Sequence, residues 1–124
     1  MITKSQVRSD LTVLYLEDEP LIALDGESIL GDIGFSQVNV ASNLADAVAI
    51  ADRGPVDVAL LDVNLGDGTT SIDLAKRLVS SGTRVVFASG YNANEDMTGG
   101  LDVPTLPKPF TELMLDRAFK KLDV

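Results

Sequence analysis

At 124 residues, 45% of them hydrophobic, the chain has the length of one domain and enough apolar volume for one core without covalent staples. It has no Cys and no His, which excludes a disulfide framework, a thiolate metal site, a cysteine nucleophile and an imidazole base or phosphoryl acceptor. Any chemistry must run on carboxylates, hydroxyls and Lys, and a formal charge of -9 argues against a nucleic-acid partner, leaving a protein or a cation.

Leu11 to Leu16 is a short apolar run stopped by Glu17-Asp18-Glu19, the pattern of a strand buried on both faces whose end reaches solvent. Pro20 can open a helix in which Leu21, Ile22, Leu24, Ile29, Leu30 and Ile33 recur near helical spacing until Gly34. Val38 to Ala41 reads as a second strand, followed by Ser42 or Asn43 as an N-cap and by a helical face of Leu44, Ala47, Val48 and Ala51 that ends at Gly54-Pro55. Val56 to Leu61 is the third strand, with Asp62 at its end. A loop rich in Gly and Asp runs from Asn64 to Thr70, and a third helix carries Ile72, Leu74, Ala75, Leu78 and Val79 to Gly82. Arg84 to Ala88 is the fourth strand and leads into Ser89-Gly90. Asn92 to Leu101 has few apolar residues and several Asn and Gly, so a fourth helix there should be short or mobile. Val103 to Leu106 is a weak fifth strand whose Pro104 suits a sheet edge, and Leu113, Leu115, Ala118, Phe119 and Leu122 give the last helix its apolar side.

Strands alternating with helices through short connections predict a parallel sheet covered on both faces, built from five strand-helix units. Residues 1–124 read as a single domain with its core from about 11 to 122, leaving no room for an output domain. No apolar run approaches the roughly 20 residues of a membrane span, and Met1 to Asp10 lacks the apolar centre of a signal peptide. A cytoplasmic protein without membrane contact is expected.

Ligands of open α/β sheets bind beyond the carboxyl ends of the strands, near the point where strand order reverses. There this sequence places Glu17, Asp18 and Glu19, then Asp62 and Asn64, then Ser89, then Lys108. Each has an ordinary reading alone: a solvated acidic turn, an Asp at a turn or N-cap, a strand terminus, a surface Lys before a helix-starting Pro. Complementary groups after four separate strands are not what independent turns would produce. Converging carboxylates repel one another unless a hard divalent ion such as Mg²⁺ joins them. A carboxylate beside that ion can act as a nucleophile toward phosphorus, with a hydroxyl and an ammonium binding the phosphoryl oxygens.

The motifs Leu16-Glu17-Asp18-Glu19, Leu60-Leu61-Asp62-Val63-Asn64-Leu65 with Asp67-Gly68, Ala88-Ser89-Gly90 and Lys108-Pro109-Phe110 resemble those of the receiver domain of bacterial two-component response regulators, from about Val13 to Leu122. The resemblance implies a CheY-like, flavodoxin-like doubly wound sheet in strand order 2-1-3-4-5, and a cis peptide between Lys108 and Pro109. It also implies that Glu17 and Asp18 hold Mg²⁺, that Asp62 is the phosphoacceptor, that the Asn64 backbone carbonyl contacts the metal, that Ser89 is the switch hydroxyl and that Lys108 pairs with the phosphoryl group. Receivers commonly carry Tyr or Phe three residues before the lysine; here that position is Thr105. Val86 to Tyr91 resembles instead the FAT GUY subgroup, named for its Phe-Ala-Thr-Gly-Tyr-like motif, with Ser89 in place of Thr. Tyr91 there is either a signalling residue or a ring that packs in the core or faces solvent.

The resemblance implies a phosphorelay switch, not an enzyme in the ordinary sense. A sensor histidine kinase or histidine phosphotransfer protein donates to Asp62, an effector protein is a possible downstream partner, and a monomer is the default. Two other readings remain. A pseudo-receiver would keep the fold as an interaction module without phosphorylation, which retention of Glu17, Asp18, Asp62, Ser89 and Lys108 argues against. A small Mg²⁺-dependent phosphohydrolase would need a second acid and a substrate pocket, often under a cap that this chain has no residues to build.

Overall fold

Uninterrupted apolar runs become the middle of a sheet. The computed structural model describes residues 7–90 and 98–124. Along them run β1 (Thr12–Leu16), α1 (Pro20–Asp32), β2 (Gln37–Ala41), α2 (Leu44–Arg53), β3 (Val58–Asp62), α3 (Ile72–Ser80), β4 (Arg84–Ser89), β5 (Thr105–Pro107) and α4 (Glu112–Lys121). The strands form one parallel sheet in the order β2-β1-β3-β4-β5, a doubly wound flavodoxin-like fold in which β1 and β3 flank the switch point. β3 lies at the centre and every residue of it is buried, which is why its sequence does not alternate.

Side chains leave a strand on alternate faces, and the two faces make two cores. Val13, Tyr15, Val58, Leu60, Val86 and Ala88 meet Leu30 of α1 and Leu115, Ala118 and Phe119 of α4. Leu14, Leu16, Ala59, Leu61, Val85 and Phe87 meet Ala47 of α2 and Leu74, Ala75 and Leu78 of α3. Burying each Leu or Val of this set contributes about 1.5–3 kcal/mol relative to exposure. Asn43 caps α2, its side chain accepting from the Asp46 N–H at 2.8 Å, and Thr111 caps α4 in the same way through the Met114 N–H at 3.2 Å.

The first core is closed at its base by Arg8. Its guanidinium donates to the Ile33 carbonyl at 2.7 Å, the Asp116 carboxylate at 2.6 Å and the Val124 carbonyl at 3.0 Å, and lies 5.3 Å from the Phe35 ring centroid. Phe35 in turn packs edge-on against Phe119. The end of α1 is thereby tied to α4, and Arg8 holds the Asp116 carboxyl below the usual carboxylate range.

Three expectations need correction. The third strand runs Val58–Asp62, beginning two residues later than Val56 and taking in Asp62. The fifth strand begins at Thr105, two residues later than Val103, with Pro104 just outside it offering its carbonyl to the Phe87 N–H at 2.9 Å. Not all the apolar residues of α1 face the core: Leu21 is 81% and Leu24 64% exposed, so the helix carries an outward apolar face that its periodicity alone does not reveal. The short fourth helix expected between Asn92 and Leu101 falls mostly on residues outside the described ones; Thr98 to Gly100 form a turn. The cis Lys108–Pro109 peptide is present.

Gly26 is buried in α1 because the Tyr15 ring lies against it. A Cβ there would overlap the Tyr15 hydroxyl and lie 2.6 Å from Cζ and 2.8 Å from Cε2. Gly26→Ala should therefore destabilise the fold by about 1–3 kcal/mol despite the better helix propensity of Ala. Tyr15→Leu in the same chain should recover at least about 0.5 kcal/mol relative to the sum of the single effects. Denaturant unfolding of the four chains measures this coupling, and strict additivity would show that the ring moves aside freely.

Candidate functional site

The carboxyl ends of β1, β3, β4 and β5 open on one crevice. Glu17 extends β1 by a residue, donating its N–H to the Ala41 carbonyl at 3.0 Å, and alternation turns its side chain to the α1/α4 face. Asp62 ends β3. Lys108 is hung from β4 by its N–H, which donates to the Ser89 carbonyl at 2.7 Å, and its Nζ lies 3.0 Å from both Glu17 Oε1 and Asp62 Oδ2. The second Glu17 oxygen accepts from the Glu19 N–H at 3.0 Å. Glu17 and Asp62 are buried, whereas Asp18 is exposed at the mouth; each of the three offers an oxygen within 4.8 Å of the others.

Burial, with the neighbouring Glu17 and a hydrogen bond to Asp18, raises the Asp62 pKa from 3.8 to about 6 against the opposing pull of Lys108. Burial acts on Lys108 in the direction of neutrality, but its hydrogen bonds and ion pairs to Glu17 and Asp62 outweigh it and leave the ammonium more basic than usual. The Tyr15 hydroxyl is also pushed up, by burial first and then by Glu17, Asp62 and Asp25. One ammonium thus fails to balance three carboxylates. This all-oxygen, negatively charged set fits a hard divalent cation, and its lack of N or S ligands disfavours zinc.

The remaining sequence candidates are distributed around this cluster. Asn64 is exposed two residues beyond Asp62, in an antiparallel bridge with Thr70 across a loop in which Gly66, Asp67 and Gly68 all have positive φ. Ser89 is fully buried at the end of β4, one residue beyond the Asp62–Ala88 register pair. Thr105 pairs with Phe87, and its hydroxyl oxygen is buried without a hydrogen-bond partner among the described residues. Tyr91 lies outside the described residues.

Two features escaped the sequence reading. Ser71 donates its hydroxyl to the Asp62 main-chain carbonyl at 2.7 Å; its place before Ile72 marks it only as an ordinary helix cap. A groove of about 460 Å³ runs beside the cluster between α1 and the segment after β5, with Leu21, Ile22, Asp25, Lys108, Pro109 and Phe110 among its walls. The surplus of apolar residues on α1 is its only signal in the sequence.

A doubly wound sheet with an acidic cluster and a lysine at its switch point defines a CheY-like receiver. The chain belongs to the response regulator receiver domain family, whose sequence model matches residues 13–120; members of that family are phosphoacceptors rather than classical enzymes. It is 32% identical over 102 residues to the phyllosphere-induced regulator PhyR of Methylorubrum extorquens, an alignment covering 79% of this chain and 38% of PhyR. The chain therefore spans well under half of that relative. Among solved structures, SdrG of Sphingomonas melonis superposes with a TM-score of 0.79 at 35% identity, covering 92% of this chain and 97% of SdrG. A receiver protein of Sinorhizobium medicae does so with a TM-score of 0.79 at 30% identity, covering 90% and 93%. Among the described residues no helix is long and apolar enough to cross a membrane.

The raised Asp62 pKa has a sign that can be tested. Between its ordinary 3.8 and about 6 the folded chain keeps a proton on Asp62 that the unfolded chain has lost, so the contribution of this group to stability is fully present below about pH 4 and is lost as pH rises through 6. Without divalent ions, Asp62→Asn should therefore be more stable than the parent at pH 7.5, by about 1–3 kcal/mol. The gap should close toward pH 4. Denaturant unfolding across this range decides the matter, and a gap independent of pH would refute the assignment.

Proposed function

We propose that this protein is a cytoplasmic two-component response regulator that accepts a phosphoryl group on Asp62 in a Mg²⁺-dependent reaction and signals through protein contacts. The observation that carries the reading is the buried Asp62 bridged by Lys108 to Glu17, with Asp18 beside it.

In the forward step an Asp62 carboxylate oxygen attacks the phosphorus of a phosphohistidine on a sensor histidine kinase or histidine phosphotransfer protein. The P–N bond breaks, the imidazole leaves with its electron pair, and an acyl phosphate forms on Asp62. Lys108, already 3.0 Å from Oδ2, is positioned to follow the negative charge from the carboxylate to a phosphoryl oxygen, and Ser89 supplies a hydroxyl to another. Glu17, Asp18, Asp62 and the Asn64 main-chain carbonyl would hold Mg²⁺, whose charge would offset that on the carboxylate and phosphoryl oxygens. In the reverse direction water attacks phosphorus, the P–O bond to Asp62 breaks, and inorganic phosphate leaves. Phosphorylation replaces the single charge of the Asp62 carboxylate with the about -1.5 to -2 of a phosphoryl group, a net gain of at most about -1 that also moves outward from Asp62, enough to redistribute the contacts of Ser89 and Lys108.

The groove beside the cluster favours a protein donor over a free metabolite. Leu21 and Ile22 line it from α1 and are exposed, and Lys108 reaches it, so a partner resting there would lie next to the acceptor.

Intact-mass analysis after incubation with acetyl phosphate and Mg²⁺ should show one phosphoryl adduct, lost in Asp62→Ala and on chelation of the metal. An adduct that survives Asp62→Ala would overturn the assignment. Tyr91, two residues beyond Ser89, is proposed to restrict the attacking water. Tyr91→Ala should accordingly release phosphate faster than the parent, and equal or slower decay of the adduct would refute that role.

A further inference from the structure

Ser71 stands where a helix N-cap belongs, yet its side chain makes no cap hydrogen bond. The residue is fully buried, and its hydroxyl turns back to donate to the Asp62 carbonyl at 2.7 Å. Its N–H donates to the Val63 carbonyl at 3.0 Å, and its own carbonyl receives the Ala75 N–H at 2.9 Å in the first turn of α3. Serine is ordinarily favoured here because its oxygen satisfies an orphan N–H of the helix. That contribution is forgone for the sake of Asp62.

The reason lies in the ladder. The β1–β3 register ends at Leu16 and Leu61, one residue short of Asp62, and a buried carbonyl beyond the end of a ladder still needs a donor. On the opposite edge the Val63 N–H donates to the Ala88 carbonyl at 3.0 Å. Three of the four polar groups in the two peptides between Asp62 and Asn64 are therefore held, one by β4 and two by Ser71.

We propose that Ser71 is a positioning residue for phosphoryl transfer. Its paired bonds to the Asp62 and Val63 carbonyls fix the stretch of backbone that aims the Asp62 carboxylate and presents the Asn64 carbonyl. The inference rests on Asp62 being the phosphoacceptor. Small errors in the placement of reacting groups are costly in rate, so loosening this stretch acts on turnover and on metal affinity more than on capture of the donor.

The test compares the parent chain with Ser71→Ala and Ser71→Cys, the latter keeping the volume with a weak donor. Calorimetric titration with MgCl₂ gives the metal affinity, and acetyl phosphate saturation curves at saturating Mg²⁺ give kcat and KM for adduct formation. Ser71→Ala should bind Mg²⁺ about 3–10-fold more weakly and lose about 10-fold in kcat with KM little changed, and Ser71→Cys should fall between it and the parent. Should Ser71→Ala fail to fold, Ser71→Cys carries the comparison: reduced affinity and kcat support the proposal, and parental values overturn it. Variants that are less stable but keep parental metal affinity and kcat assign Ser71 a structural role only and overturn it. A parent chain that forms no Asp62 adduct overturns the phosphoacceptor reading and this inference together.

Discussion

The organisation of this domain turns on a charge imbalance at the end of its central strands. Glu17 and Asp62 are buried side by side with Asp18 at the mouth, and Lys108 is the ammonium that bridges the two buried carboxylates. The sheet can hold such a cluster because β1 and β3 are rigid: each is buried along nearly its whole length and paired to a neighbour on both sides. A pair of strands fixed in this way cannot relax to separate its terminal carboxylates. Burial first, and the neighbouring Glu17 after it, instead raise the basicity of Asp62, which stays raised even with Lys108 in contact. A site with this character responds strongly to an added cation or to a change of charge on Asp62.

Much of this is legible in the sequence alone. The strands announce themselves as short apolar runs that stop at polar residues, and the polar residues that stop them are Glu17, Asp62, Ser89 and, after β5, Lys108. A parallel sheet aligns its strand ends, so residues that are 91 apart in sequence, as Lys108 and Glu17 are, meet within 3.0 Å. What stays hidden depends on orientation rather than on identity. Helical spacing puts Leu21 and Leu24 on the same helix as Leu30, but only packing against the sheet decides that Leu30 faces inward while the other two face solvent. Ser71 has the residue type and position of a cap, and only the direction of its hydroxyl separates that role from the one it has.

The two faces of the sheet divide the labour differently than their shared apolar character suggests. On the α1/α4 side the site is walled by the exposed apolar residues of α1 and by the segment carrying Lys108 and Phe110, and the base is closed by Arg8. That side is firm at the bottom and open at the top, next to the cluster. On the α2/α3 side lie the buried residues of α3 and, at the edge, Thr105, whose buried hydroxyl has no partner among the described residues and which replaces the ring common in receivers. An orphan hydroxyl costs stability that a Val at the same position would not, since desolvating it goes uncompensated. The edge next to β4 is therefore less well satisfied than the rest of the sheet.

Local departures from ordinary folding rules gather at one end of the molecule. A carboxylate is buried against another carboxylate, a serine declines its cap, three successive residues take positive φ in the loop after β3, and leucines face water beside the crevice. At the opposite end the rules are kept, as in the Arg8 network, where each guanidinium contact is matched by an acceptor or a ring. Folding alone gives no reason for this asymmetry, because a domain of this size would gain from neutral, satisfied groups at both ends. The well-packed base and central strands supply the stability against which the strained end is held, and that end has the charge, the buried carboxylate and the open approach that the proposed phosphoryl transfer to Asp62 would use.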